Sequence, residues 1–367
     1  MHSSIIQLST PHSINHKSKW KVISKEEEFH RFNFAVSVHK QRHMFIAGGY
    51  GENGIRLRSS STFDILTQTH LPLPDLPQEF IESHTFCKGA IFSNHFYVVG
   101  NFGSMIRLDR STQCQWQPIL QNNVKLQSLE AVISFSKYIF IFGDCGNNNT
   151  LYEPCLEKFT DLPKIIAPRR GAAYASVDDK IYVIGGFQWN RLANTASVEV
   201  FNLSNMTWTL ISPLPHPIRN ASATVIDNRW IIVIGGHSHE HKHSPFTYVF
   251  DTCTQKWTES RMILSAGRTL HECTTFNGCE VAMTGGLTGR GINFCSFEIV
   301  HKKHIIPNWE IIGIFILMRQ LVNSDRASIK TSLTGANAEV KIFHSIMRLL
   351  IAEFNRDLFR FILSFLI

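Results

Sequence analysis

The sequence predicts an all-β protein built from repeated four-stranded antiparallel sheets. Segment 169–217 holds four short β-type runs separated by turn-forming residues, with no helical periodicity. One sheet of this length cannot bury both of its faces, so it must pack against others. A matching segment follows at 219–264, which shows that the unit is repeated.

The four runs of the reference unit have distinct characters. In order they are AAYAS (172–176), KIYVIGG (180–186), SVEVFNL (197–203) and TWTLIS (207–212). The second run stops at Gly185-Gly186, and the fourth is centred on Trp208. In the next unit a glycine pair and a tryptophan recur 22 residues apart, against 23 in the reference unit. We therefore align the two units on these landmarks, which also places an arginine at the start of each.

The same landmarks recur along the chain every 42–52 residues. The first glycine of each unit is Gly48, Gly100, Gly143, Gly185, Gly235 or Gly285, and a second glycine follows at Gly49, Gly186, Gly236 and Gly286. The outer-strand tryptophans are Trp20, Trp116, Trp208, Trp257 and Trp309, while units one and three carry His70 and Phe159 in that slot. We interpret the variable spacing as loops of different length between constant strands.

These residues resemble the kelch repeat, whose signature is an apolar run before Gly-Gly, a tryptophan about 22 residues later and a Leu-Pro exit. The Leu-Pro exits stand at 76–77, 162–163 and 214–215. The resemblance covers about 20–309 and implies a β-propeller of four-stranded blades packed radially, with the outer tryptophan filling the wedge between neighbours. Units two and three depart from the pattern at the second glycine. We expect six blades, with seven as the alternative.

Ring closure has two candidate strands. The run around Trp20 would complete the sixth sheet from the N-terminal side, and Trp309 competes for the same place. Both cannot be the outer strand of one blade. The predicted domains are a flexible tail at 1–18, the propeller at 19–309 and a helical extension at 310–367.

The start of each innermost strand is the candidate binding site. A position about 16 residues before the first glycine would face one mouth of the central channel in every blade. Its occupants are Phe32 (beside Arg31), His84, Gln127, Arg169 and Arg219, and Arg268 takes the place in unit six at seventeen residues. In kelch adaptors, arginines at this place hold acidic peptides, so the resemblance implies a protein partner with an acidic segment, bound by bidentate pairing. The alternative is that these arginines bond blade carbonyls.

Composition restricts the function classes. The net charge of +7 is not concentrated in a basic run, so we do not expect nucleic-acid binding. Eight scattered cysteines without CxxC spacing predict reduced thiols and a cytoplasmic protein. The histidine-rich loop at 237–243 is the strongest metal candidate, but an exposed polar loop is the favoured interpretation, so we predict no metal and no cofactor.

Catalysis is the rival class of function. Some kelch propellers are metal-dependent oxidases or lyase-like proteins, and a sugar epimerase shares the fold, but no clustered His/Tyr/Cys set or acidic triad marks such a site here. We therefore predict a non-enzymatic interaction scaffold.

The last residues have a different composition. In 337–367 apolar residues recur at three- and four-residue steps, which predicts an amphipathic helix. Docking on a membrane surface or in a partner groove is one interpretation. The favoured ones are a helix packed on the propeller or a non-native extension. The sequence leaves the oligomeric state open.

Overall fold

The computed structural model describes residues 20–24, 31–40, 42–51, 54–83, 86–109, 114–119, 126–260, 262–264, 266–276, 278–288 and 297–306. The chain divides into two units, Met1–Pro307 and Asn308–Ile367, and every described residue belongs to the first. The predicted tail, Trp309 and the predicted C-terminal helix lie outside the described residues and stay predictions.

Six four-stranded antiparallel sheets form the six blades. The inner strands, from blade 1 to blade 6, are Ala35–His39, Cys87–Phe92, Leu129–Phe135, Ala173–Val177, Ser222–Ile226 and Glu272–Phe276. The second strands are His43–Ala47, His95–Gly100, Tyr138–Gly143, Lys180–Ile184, Trp230–Ile234 and Glu280–Thr284. The third strands are Ser60–Asp64, Met105–Asp109, Asn148–Glu153, Val198–Asn202, Thr247–Asp251 and Phe297–His301. The outer strands are Thr69–Leu73, Trp116–Pro118, Lys158–Leu162, Thr207–Ile211, Lys256–Glu259 and Lys21–Ser24.

The blades form a closed ring. Each inner strand lies beside the inner strands of its two neighbours, and the inner strand of blade 6 lies beside that of blade 1. Blade 6 takes its outer strand from the other end of the unit, because Lys21–Ser24 pairs antiparallel with Phe297–His301. Trp20, next to this strand, is buried. The N-terminal candidate is therefore the strand that closes the ring, and the number of blades is six, as expected.

The core lies between the blades. Buried side chains of neighbouring blades form shared clusters between blades 1 and 2, 2 and 3, 3 and 4, 4 and 5, and 6 and 1. Second strands are packed on both faces, so their central residues form continuous apolar runs instead of alternating; Trp230–Ile234 is buried along its whole length. Burial on both faces explains why a single blade could not be stable alone.

The outer-strand tryptophans join neighbouring blades. The indoles of blades 2, 4 and 5 each donate a hydrogen bond to a carbonyl at the exit of the preceding blade: Trp116 to Pro74 at 2.8 Å, Trp208 to Pro163 at 3.0 Å and Trp257 to Ser212 at 2.9 Å. His70 and Phe159 take the same strand register in blades 1 and 3, opposite Phe63 and Tyr152. In blades 2, 4 and 5 the side chain at this position therefore links its blade to the preceding one by a hydrogen bond.

The remaining elements are short. They are the helices Gln78–Ser83 and Lys302–Ile305, the 3-10 turn Asp144–Gly146, and two small ladders that pair Phe187–Gln188 with Ala193–Asn194 and Arg268–Thr269 with Leu287–Thr288. Among the described residues, no helix combines the length and apolar character needed to span a membrane. The described cysteines form no disulfide.

Candidate functional site: the mouth of the central channel

The centre of the ring holds a cavity of about 740 Å³ lined by the inner strands of all six blades. Each inner strand is paired on one side only, so its free edge faces this channel. We call the end at which inner strands begin and second strands end the mouth face. Its loops vary most in length between blades, and variable loops on a rigid scaffold are the common place for binding residues.

At least one polar residue of every blade lines the channel near the start of its inner strand. We call Asn33, Lys88, Glu130, Arg170, Asn220 and Glu272 the mouth-ring residues. The sequence predicts a ring of this kind, but the observed residues lie one to four positions further along the chain. The predicted positions come before the inner strands begin. The residues that line the channel lie closer to the starts of those strands or within them.

Three of the predicted residues are interior arginines. Arg31, Arg169 and Arg268 occupy the same place in blades 1, 4 and 6, and at most 2% of each is exposed. Each donates a hydrogen bond to the carbonyl of the first glycine of its own blade, at 3.0, 3.5 and 3.5 Å respectively. These are the carbonyl bonds that the alternative interpretation expects.

Two of these arginines also form buried ion pairs. Arg169 pairs with Glu199 and Arg268 with Glu298, each from the third strand of the same blade. Glu199 also accepts hydrogen bonds from the backbone N–H groups of Ile166 and Ala167, at 2.7 and 3.0 Å. The carboxylates neutralise both guanidinium groups inside the protein, so these side chains hold the blade edge and do not face the channel mouth.

Arg219 lies one position away from the place that the sequence alignment gives it. The turn between the first two strands has two residues in blade 4, where Val177 pairs with Lys180, but three in blade 5, where Ile226 pairs with Trp230. Counting back from the glycine therefore gives a register that is wrong by one residue. Buried Ile218 takes the place of Arg169, and Arg219 takes the place of Arg170: both bridge to the residue after the glycine pair.

Arg170 and Arg219 consequently form a second pair of arginines, on the mouth face of adjacent blades. The side chain of Arg170 is 52% exposed, and its guanidinium lies 5.8 Å from the ring centre of Trp189. That of Arg219 lies 4.9 Å from the ring centre of Phe187. The two rings pack edge to face at 5.2 Å. Cations over aromatic faces are stabilised by the ring quadrupole, so this loop holds both arginines in place.

The two arginines differ in their charge partners. The Nε atom of Arg170 lies 3.9 Å from a carboxylate oxygen of Glu130 and donates to Sγ of Cys145 at 3.3 Å. Among the residues that the structure describes, Arg219 has no carboxylate within ion-pair distance, and its buried Nε has no hydrogen-bond partner. Burial, followed by the charge of Arg219, lowers the pKa of His237. Arg219 is therefore a cation whose charge is not neutralised locally.

The carboxylates of the mouth ring are already engaged. Glu130 accepts a hydrogen bond from the backbone N–H of Gly171 at 3.0 Å, and burial raises its pKa. Glu272 pairs with Lys88 across the inner strand of blade 1, which has the small residue Ala35 at this level. Burial also raises the pKa of the Cys145 thiol, so it is not a thiolate nucleophile at neutral pH.

The other predicted site residues lie apart from this arrangement. Gln127 is exposed, and its backbone N–H donates to the carboxylate of Asp144 at 2.8 Å. His84 lies outside the described residues. In the described part of the chain, no group of three or more His, Cys, Asp or Glu is placed to hold a metal ion. The loop at 237–243 instead folds back on itself, with a hydrogen bond from the N–H of Ser238 to the carbonyl of His241 at 2.9 Å.

Sequence comparisons identify relatives with the same repeat. The family model described as "KLHDC2/KLHL20/DRC7 Kelch-repeats domain" matches residues 157–286. A putative F-box/kelch-repeat protein At3g27910 of Arabidopsis thaliana is 41% identical over 90 residues, which cover 23% of each chain. Kelch-like protein terF of Aspergillus terreus is 27% identical over 42% of this chain and 36% of its own. Kelch-like protein 23 of Pongo abelii is 27% identical over 76% of this chain and 49% of its own.

The matched segments thus span less than half the length of these curated relatives. Among solved structures, that of YjhT matches with a TM-score of 0.60 and 14% identity, over 73% of this chain and 93% of its own. At this identity the likeness shows the fold alone.

Proposed function

Because this chain is a kelch-repeat β-propeller protein, we propose that it binds a protein partner through the mouth face, with Arg170 and Arg219 as the contact for an acidic segment. Kelch repeats are commonly interaction scaffolds, and the matched relatives are kelch proteins. The proposal concerns the mouth face because Arg219 lies there, half-buried and without a carboxylate partner among the described residues. Absence of catalysis and a cytoplasmic location stay predictions.

The observation that carries the proposal is the state of Arg219. A buried or half-buried cation without a carboxylate partner is costly, since desolvation is not repaid by pairing. Arg219 is half-buried, lies over Phe187 and has no such partner among the described residues. A carboxylate from outside would supply the missing bidentate hydrogen bonds. The aromatic rings would exclude water from those bonds and strengthen them.

Arg170 contributes to the same contact in a different way. Its guanidinium is shared between Glu130 and Cys145 and retains donors toward solvent. Together with Trp189, which is 57% exposed, it extends the surface from blade 5 to blade 4. Arginine and tryptophan are enriched among the residues that dominate protein–protein binding energy.

Affinity purification with quantitative mass spectrometry tests this proposal. The test variant replaces Arg170 and Arg219 with glutamine, and the control replaces the exposed outer-strand residues Lys158 and Lys256 with glutamine. We expect at least one protein to be retained by wild type and control and lost by the test variant. Retention of the same proteins by all three would contradict the proposed role of the mouth face.

A further inference from the structure

Arg219 lies directly opposite a histidine. Its segment and that of His237 form an antiparallel bridge, in which the N–H of Arg219 donates to the carbonyl of His237 at 3.0 Å and the return bond measures 2.7 Å. Side chains of two residues paired in this way lie on the same face, with Cβ atoms about 5 Å apart. Both residues are half-buried. The guanidinium and the imidazole are therefore neighbours at the mouth face.

Two other blades carry an aromatic ring at the place of His237. Phe187 is opposite Arg170 in blade 4, and Tyr50 is opposite Phe32 in blade 1. The ring follows the glycine pair in all three blades. Blade 5 differs from the other two in that its ring takes up a proton, because histidine gains its charge between about pH 5 and pH 8.

Positive charges act on His237 from its own blade. Burial lowers the pKa of its imidazole most, and the charges of Arg219, His243 and Lys242 lower it further. Among the residues that the structure describes, no carboxylate lies within ion-pair distance of this imidazole. In the free protein the ring is consequently neutral at pH 7.

The adjacent blades contribute neutral polar groups to this loop. From blade 4, the side-chain amide of Asn194 donates to the carbonyl of His237 at 3.0 Å. From blade 6, the hydroxyl of Thr269 lies 3.4 Å from Nδ1 of His243. The cation beside Thr269 is Arg268, which is neutralised by its buried pair with a glutamate.

The rest of the loop faces away from Arg219 or toward solvent. Glu240 and His239 are exposed, and His241 packs edge to face on Phe246 at 5.3 Å. The charge of Glu240 is not among those that shift the pKa of His237. Arg219 and His237 thus form a pair of basic groups whose nearest charges have the same sign.

Such a pair couples the binding of a proton to the binding of a carboxylate. Protonation of His237 in the free protein places two cations side by side in a half-buried position, which is unfavourable. A carboxylate that binds Arg219 offsets this repulsion and accepts a hydrogen bond from the imidazolium as well. Each of the two ligands therefore strengthens the binding of the other by the same factor.

We propose that protonated His237 is a second cationic contact for the acidic segment, so that the mouth face binds its partner more tightly as the pH falls. The bound carboxylate raises the pKa of the imidazole above its value in the free protein, so binding takes up a proton near pH 6. This inference rests on the proposed function and adds to it a titrating residue and a dependence on pH.

The probe is an acidic peptide without histidine, selected at pH 6 on the wild-type protein from a displayed library of random peptides. Isothermal titration measures its affinity at pH 7.5 and pH 5.5, where its carboxylates are ionised. We expect the wild-type affinity to rise on the order of tenfold toward pH 5.5, since each unit by which binding raises a pKa corresponds to a gain of up to tenfold. Titrations at pH 6 in two buffers of different ionisation enthalpy should show uptake of a fraction of a proton.

His237→Phe is the test variant, because blade 4 carries phenylalanine at the equivalent place. It keeps a ring opposite Arg219 but takes up no proton. We expect it to bind the peptide at pH 7.5 about as well as wild type, to lose most of the tightening at pH 5.5 and to take up less proton. His237→Gln, which also takes up no proton, should give the same result.

The control is His43→Phe, at the start of the second strand of blade 1 and so at the opposite end of the ring. It should follow the wild-type pH profile. Thermal melting at each pH verifies that every variant is folded.

The remaining outcomes separate this inference from the proposed function. Equal wild-type affinity at both pH values, or a wild-type pH dependence in the two His237 variants, overturns the role of His237 and leaves the proposed function standing. Binding at pH 7.5 that survives replacement of both Arg170 and Arg219 with glutamine, or a selection that yields no acidic peptide, overturns both.

Discussion

Arg169 and Arg170 are neighbours in the chain, yet their side chains lie in opposite surroundings. Successive side chains of an extended segment point in opposite directions. Arg169 points into the blade, where it pairs with Glu199 and donates to two carbonyls, and Arg170 points to the mouth face, where it is half exposed. The same residue type therefore stabilises the fold at one position and is available for binding at the next.

The buried pair makes a direct prediction for stability. Glu199→Gln leaves the guanidinium of Arg169 buried without a compensating charge, which we expect to lower the free energy of unfolding by about 3–5 kcal/mol. The control is Glu157→Gln, which removes a 52% exposed carboxylate paired with Arg107 and should cost about 0–1 kcal/mol. Urea unfolding measures both. Equal, small losses would show that the buried pair does not stabilise the blade.

His271 predicts a dependence of stability on pH. Burial, followed by the charges of Arg268 and Lys88, lowers its pKa from 6.5 to about 3. The folded protein keeps this imidazole neutral while the unfolded chain takes up a proton below about pH 6.5, so its contribution to stability falls as the pH falls.

The variant His271→Gln isolates this contribution, since other titrating groups act in both proteins. Between pH 7 and pH 5 we expect wild type to lose about 2 kcal/mol more unfolding free energy than the variant. Parallel pH profiles of the two proteins in urea unfolding would contradict this.

At the scale of elements, turn length decides which residues are equivalent. The glycine and tryptophan landmarks predict the blades correctly, because the second and outer strands recur at the same place in every blade. The arginine alignment is wrong for Arg219, because a single extra residue in the blade 5 turn moves the inner strand by one position relative to its partner. A one-residue shift reverses the side that each side chain faces. The spacing of the landmarks along the sequence does not show which turn contains the extra residue.

The closing strand Lys21–Ser24 is the element on which the ring depends. Without it, Phe297–His301 would become an unpaired edge, and blade 6 would lose one of its four strands. We expect removal of residues 1–24 to lower the melting temperature and broaden the transition, compared with removal of residues 1–18 alone. Differential scanning calorimetry measures both. Identical transitions would show that the strand does not close the ring in solution.

At the scale of the whole molecule, the site is assembled by ring closure. Lys88 and Glu272 form an ion pair although they are 184 residues apart in sequence. Glu130 and Arg170 come from adjacent blades in the same way. No local pattern contains such contacts, so the sequence predicts that a ring of polar residues exists but not which residues form it. The arginines that face the mouth, and the aromatic rings that hold them, follow only from the closed structure.

The central claim is that Arg219 is the binding arginine of this ring and Arg169 a structural one. An acidic peptide is first selected on the wild-type protein from a displayed library of random peptides. Isothermal titration of this peptide, combined with urea unfolding, tests the claim on Arg219→Gln and Arg169→Gln. The predicted result is that Arg219→Gln loses about tenfold or more in affinity with no loss of stability, because the substitution removes a charged contact to the peptide and no ion pair within the protein. Arg169→Gln should instead lose stability and, where folded, keep its affinity. Wild-type affinity in Arg219→Gln would contradict the account.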